Sequence, residues 1–206
     1  MKSNMRQRII IIILAIMIGV GVPEFINNYF SEAYDVNIEE SSDGQATGDD
    51  SYLDKVKFIR AVDGDTIIVE DSGGSQSRVR LIGIDTPESV AAEEERNNEY
   101  GVMASDYTKE LLSNVDTLYL EYDVDIDDQY DRILAYVWLD DVEDTFDEKT
   151  IEESMINAII VKNGYGIAKR YEPTVAHDNT LQRLTKEANN ANAGLWQYEG
   201  FRNLWK

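Results

Sequence analysis

The chain has no cysteine among its 206 residues, which excludes both a disulfide framework and a thiolate metal site. It has one histidine, His177, so no zinc site can be built from paired imidazoles or from Cys and His together. Positive charge is scarce as well. Nineteen Lys and Arg stand against forty Asp and Glu, a formal net charge of −21. Taken alone, that balance argues against a nucleic-acid partner, which wants a basic face. The acidity is concentrated, however: Glu121 to Glu153 carries fourteen acids and two bases, whereas Ser154 to Lys206 carries seven bases and four acids. The global charge therefore does not decide function. Apolar residues make up 43% of the chain, enough for a real core.

Long apolar runs are absent except at the start. Lys2, Arg6 and Arg8 precede an apolar stretch from Ile9 to Val22. Its fourteen residues would span about 21 Å as a helix, short of the roughly 30 Å hydrocarbon core. A basic start and a short apolar stretch are the pattern of a secretory signal. Residues 1–26 are therefore expected to be a signal peptide, with Gly19-Val20-Gly21 as a cleavage site, or an uncleaved signal-anchor helix holding the membrane through residues 9–26. Either places the remainder outside the cytoplasm, secreted or membrane-anchored. Residues 27–54, rich in Ser, Gly and Asp, read as a flexible polar linker. The folded domain is expected over 55–206.

Within that domain, 56–62, 65–70, 77–84, 117–122 and 132–139 carry strand patterns, with turn signals at Asp63-Gly64 and Ser72-Gly73-Gly74. Met103, Tyr107 and Leu111 recur every four residues and predict a first helix. Thr150 and Glu153 form a capping-box pattern ahead of a second, ending at Asn163-Gly164. A third runs from near Asp178 to Asn192, with Leu181, Leu184, Ala188 and Ala191 inward and Gly194 as its stop. The fold class is α+β and mainly β: a small five-stranded barrel with three packed helices.

The chemistry concentrates in three short pieces. Asp63-Gly64-Asp65-Thr66 places two carboxylates around a glycine at a strand start, a pattern that alone reads as a turn. Asp85-Thr86-Pro87-Glu88 follows a strand containing Arg80, and Asp128-Gln129-Tyr130-Asp131-Arg132 puts a second arginine at another strand start. Asp65 and Asp85 at neighbouring strand ends repel unless a cation lies between them. Oxygen ligands without His or Cys suit Ca²⁺ or Mg²⁺. Arg80 and Arg132 beside that cation would clamp a phosphate, since guanidinium meets phosphate oxygens bidentately. Glu88 could then orient or deprotonate a water, completing the minimum apparatus for metal-assisted phosphodiester hydrolysis.

VDGDT, RLIGIDTPE, NEYG (98–101), DQYDR and GLW (194–196), in this order, resemble the staphylococcal (thermonuclease-type) nuclease family over roughly Lys55 to Gln197. The resemblance implies an OB-fold barrel with three helices and a Ca²⁺-dependent nuclease acting on DNA and RNA. By motif it implies Asp65, Asp85 and the Thr86 carbonyl as calcium ligands, Arg80 and Arg132 on the phosphate, and Glu88 on the attacking water. It implies cleavage of the 5′ P–O bond to leave 3′-phosphates, Tyr130 against bound nucleotide, and a cis bond at Glu172-Pro173. Tyr171 is the second aromatic expected on the nucleotide face, while Trp138, Tyr165 and Trp196 are expected in the core. Single strands are the expected preferred substrate, and a monomer the expected state.

The chain departs from the family pattern in three places. Asp131 stands where the family has glycine, Gln129 replaces a lysine found in its best-known member, and 140–150 is longer and acidic. All three weaken attraction for a polyanion, so weaker substrate binding is expected. The alternative function is a catalytically silent nucleic-acid-binding barrel on the cell surface. Its expected mark is loss of the site's acids or arginines, and all are retained. Asp123 to Leu134 mimics an EF-hand start but lacks the glycine at its sixth position and the glutamate at its twelfth. It is expected to be a solvated acidic loop.

Overall fold

The computed structural model of the chain describes residues 53–89 and 98–206. The expected signal or anchor segment and most of the linker lie outside the described residues. Among the described residues no helix is long and apolar enough to cross a membrane.

Five strands close into a barrel: β1 (Asp54–Asp63), β2 (Thr66–Glu70), β3 (Gln76–Leu81), β5 (Thr117–Glu121) and β6 (Ile133–Trp138), in the order β1-β2-β3-β6-β5. Alternation sets which side chains face inward. Ile67 and Val69 of β2, Val79 and Leu81 of β3, and Leu118 and Leu120 of β5 are buried. The register of β1 against β2 slips between Phe58 and Arg60 and again between Ala61 and Asp63. Such irregularities bend a strand, and β1 pairs with β2 along one part and with β5 through residues 54–57. β3 and β6 run parallel, Arg80 opposite Leu134, and the other barrel pairs are antiparallel.

Helix α1 (Glu99–Leu111) lies between β3 and β5 in sequence. Helices α2 (Glu148–Ser154) and α3 (Ile156–Lys162) follow β6, and α4 (Asp178–Ala191), a short 3₁₀ turn (Gly194–Gln197) and α5 (Glu199–Leu204) end the chain. Ile151, Ile156, Ile160, Leu181 and Leu184 bury against the barrel core together with Trp138 and Tyr136. Each such fully buried aliphatic side chain stabilises by about 1.5–3 kcal/mol relative to exposure. A smaller cluster joins Ala104, Ala188, Leu195, Trp196 and Phe201. Trp138 and Trp196 are core as expected. Tyr165 is half-buried and stacks on Tyr107 with ring centroids 4.0 Å apart.

Four local readings are corrected. The third strand was expected to run to Ile84 but stops at Leu81, because Gly83 turns the chain at φ +76°. That left-handed φ strains any residue with a Cβ, which would in addition lie 2.7 Å from Leu181 Cδ1 and push it aside. Ile84–Asp85 instead forms β4, antiparallel to β7 (Ile167–Ala168). The second helix is capped by Asp147, whose carboxylate accepts from the Thr150 amide (2.8 Å) and hydroxyl (2.7 Å), so Thr150 lies inside the helix. An ionised cap is a stronger acceptor than a hydroxyl. That helix is broken at Met155, which is extended (ψ 117°), fully buried and bridged to Trp138. The amide of buried Asn157 then accepts from the Val137 N–H (2.9 Å) and donates to the Ile82 carbonyl (2.8 Å), tying the helix to the barrel.

The third helix ends at Asn192 as expected, but the left-handed residue that stops it is Asn192 itself (φ 54°), Gly194 opens the following 3₁₀ turn, and Ala191, expected inward, is exposed. In α1 the fully buried face is Gly101, Ala104, Ser105 and Thr108, small residues that allow close approach. Met103, Tyr107 and Leu111 are half-buried.

Candidate active site

A cleft of about 520 Å³ gathers Asp63, Asp65, Arg78, Arg80, Asp85, Glu88, Tyr130, Arg132, Lys169 and Tyr171. Of the eight residues singled out from sequence, seven by their side chains and Thr86 by its carbonyl, the seven line it. The eighth, Thr86, is buried behind the cleft and bonded to Asp65.

Asp65 sits at the turn into β2. Its Oδ2 accepts from the Thr86 N–H and Thr86 hydroxyl, both at 3.0 Å, and from Arg80 Nη1 at 3.0 Å. Burial pushes the Asp65 carboxyl above the usual range, against the opposing pull of Arg80 and the Thr86 amide. The alternation that buries Val79 and Leu81 in the barrel turns Arg80 to the other face of β3. The Arg80 guanidinium stands between the two carboxylates. Nη1 meets Asp65, and Nη2 meets Asp85 Oδ1 at 3.3 Å. Two backbone carbonyls, of Leu81 (2.9 Å) and Ile84 (3.1 Å), hold it there.

Glu88 is placed by its backbone. Its carbonyl accepts from the Asn98 N–H (3.2 Å), and Gly101 at the start of α1 lies so close that a Cβ would be 2.1 Å from that oxygen. Next to it, the Ser89 hydroxyl donates to Asp63 Oδ1 at 2.7 Å, locking the loop after β4 to the β1–β2 turn. The Thr108 hydroxyl donates to the Gly64 carbonyl at 2.8 Å and fixes the same turn from α1.

Arg132 is held by Asp128, with Nη2 at 2.7 Å and Nε at 2.8 Å from Oδ2. Asp128 Oδ1 also accepts from the Tyr130 and Arg132 amides (2.9 and 3.1 Å), so one carboxylate shapes the loop and orients the guanidinium. Burial raises the Asp128 carboxyl, but the hydrogen bonds from Arg132 and Tyr130 together outweigh it and hold the group below the usual carboxylate range. Tyr130 is 64% exposed, with the Arg132 guanidinium 5.6 Å from its ring centroid. Asp131 has φ 57°, a left-handed conformation that glycine adopts freely and aspartate tolerates. Its side chain is exposed and does not line the cleft.

Four cleft or supporting groups were missed from sequence: Asp63, Arg78, Asp128 and Lys169. Asp128 had a local signal, an acid four residues before Arg132. Lys169 had none. It reaches Asp85 Oδ2 at 2.9 Å across 84 residues, because β7 pairs with β4.

The donor set suits a hard cation. Among the described residues no three Asp, Glu, His or Cys side chains form a ready cage. The cleft offers two carboxylates facing one another across a guanidinium, with no softer donor. Such a set fits calcium or magnesium completed by carbonyls and water. His177 is buried and hydrogen-bonded to Glu121 at 3.0 Å. The acidic stretch at 140–147 is partly spent on local caps: besides Asp147, Asp144 accepts from the Phe146 N–H and Asp140 from the Ser154 hydroxyl. The Glu172–Pro173 bond is cis, as the resemblance implies.

The comparisons with known proteins agree with this geometry. The family described as Staphylococcal nuclease homologue matches residues 78–198. Thermonuclease of Staphylococcus intermedius is 37% identical over 187 residues, 91% of this chain and 95% of that protein. Thermonuclease of Staphylococcus hyicus is 39% identical over 140 residues, 68% and 74% of the two chains. Endonuclease YncB of Bacillus subtilis is 32% identical over 150 residues, 72% and 64%. The family match begins within β3 and so omits Asp65, which the fold nonetheless brings to Arg80 and Thr86. A barrel that carries paired acids and two arginines in one cleft, with relatives of this kind over most of its length, belongs to the staphylococcal nuclease family and is a nuclease.

Proposed function

We propose that the protein is an exported, calcium-dependent nuclease that hydrolyses DNA and RNA, single strands in preference, and leaves 3′-phosphates. The observation that carries the reading is the convergence of Asp65, Asp85, Arg80, Arg132 and Glu88 on one cleft.

Asp65, Asp85 and the Thr86 carbonyl would hold calcium, which when bound supplies positive charge and Lewis acidity to the phosphodiester oxygens. Arg80 and Arg132 take the remaining phosphate oxygens and stabilise the charge that builds on them in the transition state. Glu88 orients the attacking water and accepts its proton. The water oxygen bonds to phosphorus, the P–O5′ bond breaks and the departing oxygen takes up a proton from solvent, leaving a 5′-hydroxyl and a 3′-phosphate. Tyr130 and Tyr171, both largely exposed at the cleft, give flat faces on which bases stack irrespective of sequence. A site with few protein oxygens binds calcium weakly, at about 10⁻⁴–10⁻³ M, which suits an exterior location. The basic start and apolar run at 1–26 support export, by a cleaved signal or a retained anchor. The enzyme is proposed to act as a monomer.

The test incubates the purified protein with single-stranded DNA and with RNA at millimolar calcium, with and without chelator, and assigns the product ends. Degradation that yields 3′-phosphates and stops with chelator is expected. Intact substrate, or hydrolysis indifferent to chelator, overturns the calcium reading. N-terminal sequencing of exported protein distinguishes cleavage from anchoring.

A further inference from the structure

Among the ion-paired cations that line the cleft, Lys169 has the most exposed side chain, 45% against 25% for Arg132 and 13% for Arg80. Asp85 has both oxygens taken: Oδ1 by Arg80 Nη2 at 3.3 Å and Oδ2 by Lys169 Nζ at 2.9 Å. The two cations are held very differently. Arg80 has a side chain only 13% exposed, and it is bonded to two backbone carbonyls and to Asp65 besides. The Lys169 side chain is 45% exposed and has no main-chain carbonyl holding it among the hydrogen bonds of the described residues: it pairs with Asp85 and, more weakly, with the Tyr171 side chain. Its Nζ lies 5.8 Å from the centroid of Tyr171, an exposed ring on the cleft wall.

We propose that Lys169 is a resident counter-cation of Asp85 that yields this carboxylate to the metal and then serves the substrate phosphate. The inference rests on the reading of Asp65 and Asp85 as calcium ligands. Asp65, Asp85, Arg80 and Lys169 sum to zero formal charge, so the acid pair is neutralised without a metal. A divalent cation that takes Asp85 Oδ2 competes with an ammonium already there. Arg80 is over-determined and stays, whereas Lys169 has a flexible four-carbon stem and gives way. Once off Asp85, its ammonium is repelled by the bound cation and remains on a cleft wall it shares with Arg78, Arg132 and Tyr171. A compact, mobile ammonium is suited to a phosphate of a polyanion entering that cleft.

The same side chain therefore weakens metal binding in the free enzyme and strengthens substrate binding in the loaded one. Metal and substrate become coupled: substrate that engages Lys169 removes the competitor for Asp85, so each ligand tightens the other.

The test titrates calcium alone into the full chain by calorimetry, for wild type, Lys169→Met, Lys169→Arg and Asp85→Asn, each checked for folding by circular dichroism. The wild type is expected to bind calcium and Asp85→Asn to lose it. Lys169→Met should bind calcium about fivefold more tightly or better, the low end of typical coupling between ligands, and Lys169→Arg should not. In activity assays Lys169→Met should raise KM and reduce the slope of log binding against log salt by about one, the mark of one lost phosphate contact. Calcium affinity unchanged or weakened in Lys169→Met overturns the role of Lys169 while leaving the metal reading intact. A wild type that binds no calcium, or Asp85→Asn that binds it normally, overturns the metal reading and the inference with it.

Discussion

The two arginines of the cleft are prepared by different means, and this separates their expected mutational signatures. Arg80 is a structural cation as well as a phosphate ligand, since it lies between Asp65 and Asp85 and bonds two main-chain carbonyls. Removing it leaves two buried or half-buried carboxylates without their shared partner, and such a change costs stability as well as turnover. Arg132 pairs with a single carboxylate, Asp128, and the Tyr130 ring, with 25% of its side chain exposed, and the Glu88 main chain is fixed by the Asn98 N–H. Arg132→Ala and Glu88→Ala are therefore the cleaner probes of chemistry. Each is expected to lower kcat by about 10²–10⁴-fold, as loss of a charge-stabilising or proton-accepting group does, with the melting temperature close to wild type. Steady-state kinetics on a single-stranded oligonucleotide alongside thermal melting checks this; near-normal kcat in both variants overturns the assigned roles.

At the level of elements, the barrel strands were readable because alternation and turn residues agree, and the site motifs were readable because each is compact in sequence. What escaped was set by distant contacts. The helical pattern runs unbroken through Met155, and only the bridge from Met155 to Trp138 with the Asn157 bonds to Val137 and Ile82 explains the interruption. Lys169 meets Asp85 through two-residue strands whose pairing leaves no periodic signal. The cap of α2 offers a direct test of one such correction. Asp147→Ala should lower the melting temperature by a few degrees at neutral pH, and Thr150→Ala by less, because the carboxylate serves both Thr150 donors. The hydrogen bonds from Thr150 hold Asp147 below the usual carboxylate range. Its contribution is thus present above the ordinary carboxylate pKa and lost as pH falls through the depressed one, so the gap between wild type and Asp147→Ala should close in acid. Gly101→Ala tests the seat of Glu88. Helix propensity alone favours alanine by about 1 kcal/mol. The 2.1 Å approach to the Glu88 carbonyl predicts the opposite sign, a loss of about 1–3 kcal/mol from overpacking, with reduced kcat as the loop shifts. Denaturant unfolding fixes the sign, and a stabilised, fully active Gly101→Ala would contradict the geometry.

For the whole molecule the unusual quantity is charge: −21 in an enzyme of a polyanion. The cleft itself holds four cations, Arg78, Arg80, Arg132 and Lys169, against Asp63, Asp65, Asp85 and Glu88. Local attraction therefore depends on a bound cation, while the field outside the cleft is repulsive. The two effects differ in range. Contacts at hydrogen-bond distance are little screened, whereas a diffuse acidic field is damped beyond the Debye length, which falls from about 30 Å at 0.01 M to about 8 Å at 0.15 M salt. Added salt weakens the phosphate contacts by counterion competition but also removes the long-range repulsion, so kcat/KM should depend on salt more shallowly than phosphate contacts alone dictate. Asp127 and Asp131 flank the cleft residues Tyr130 and Arg132 in sequence, and both are exposed. The double substitution Asp127→Asn, Asp131→Asn keeps the side-chain size and a residue that tolerates the left-handed conformation at 131. It should raise kcat/KM more at 0.01 M than at 0.15 M salt, through KM rather than kcat, because it changes encounter and leaves the catalytic groups alone. Measuring kcat and KM for one short oligonucleotide at the two ionic strengths decides the matter: an equal gain at both would place these acids in direct contact with substrate, and no gain at either would remove the acidic field as a determinant of rate.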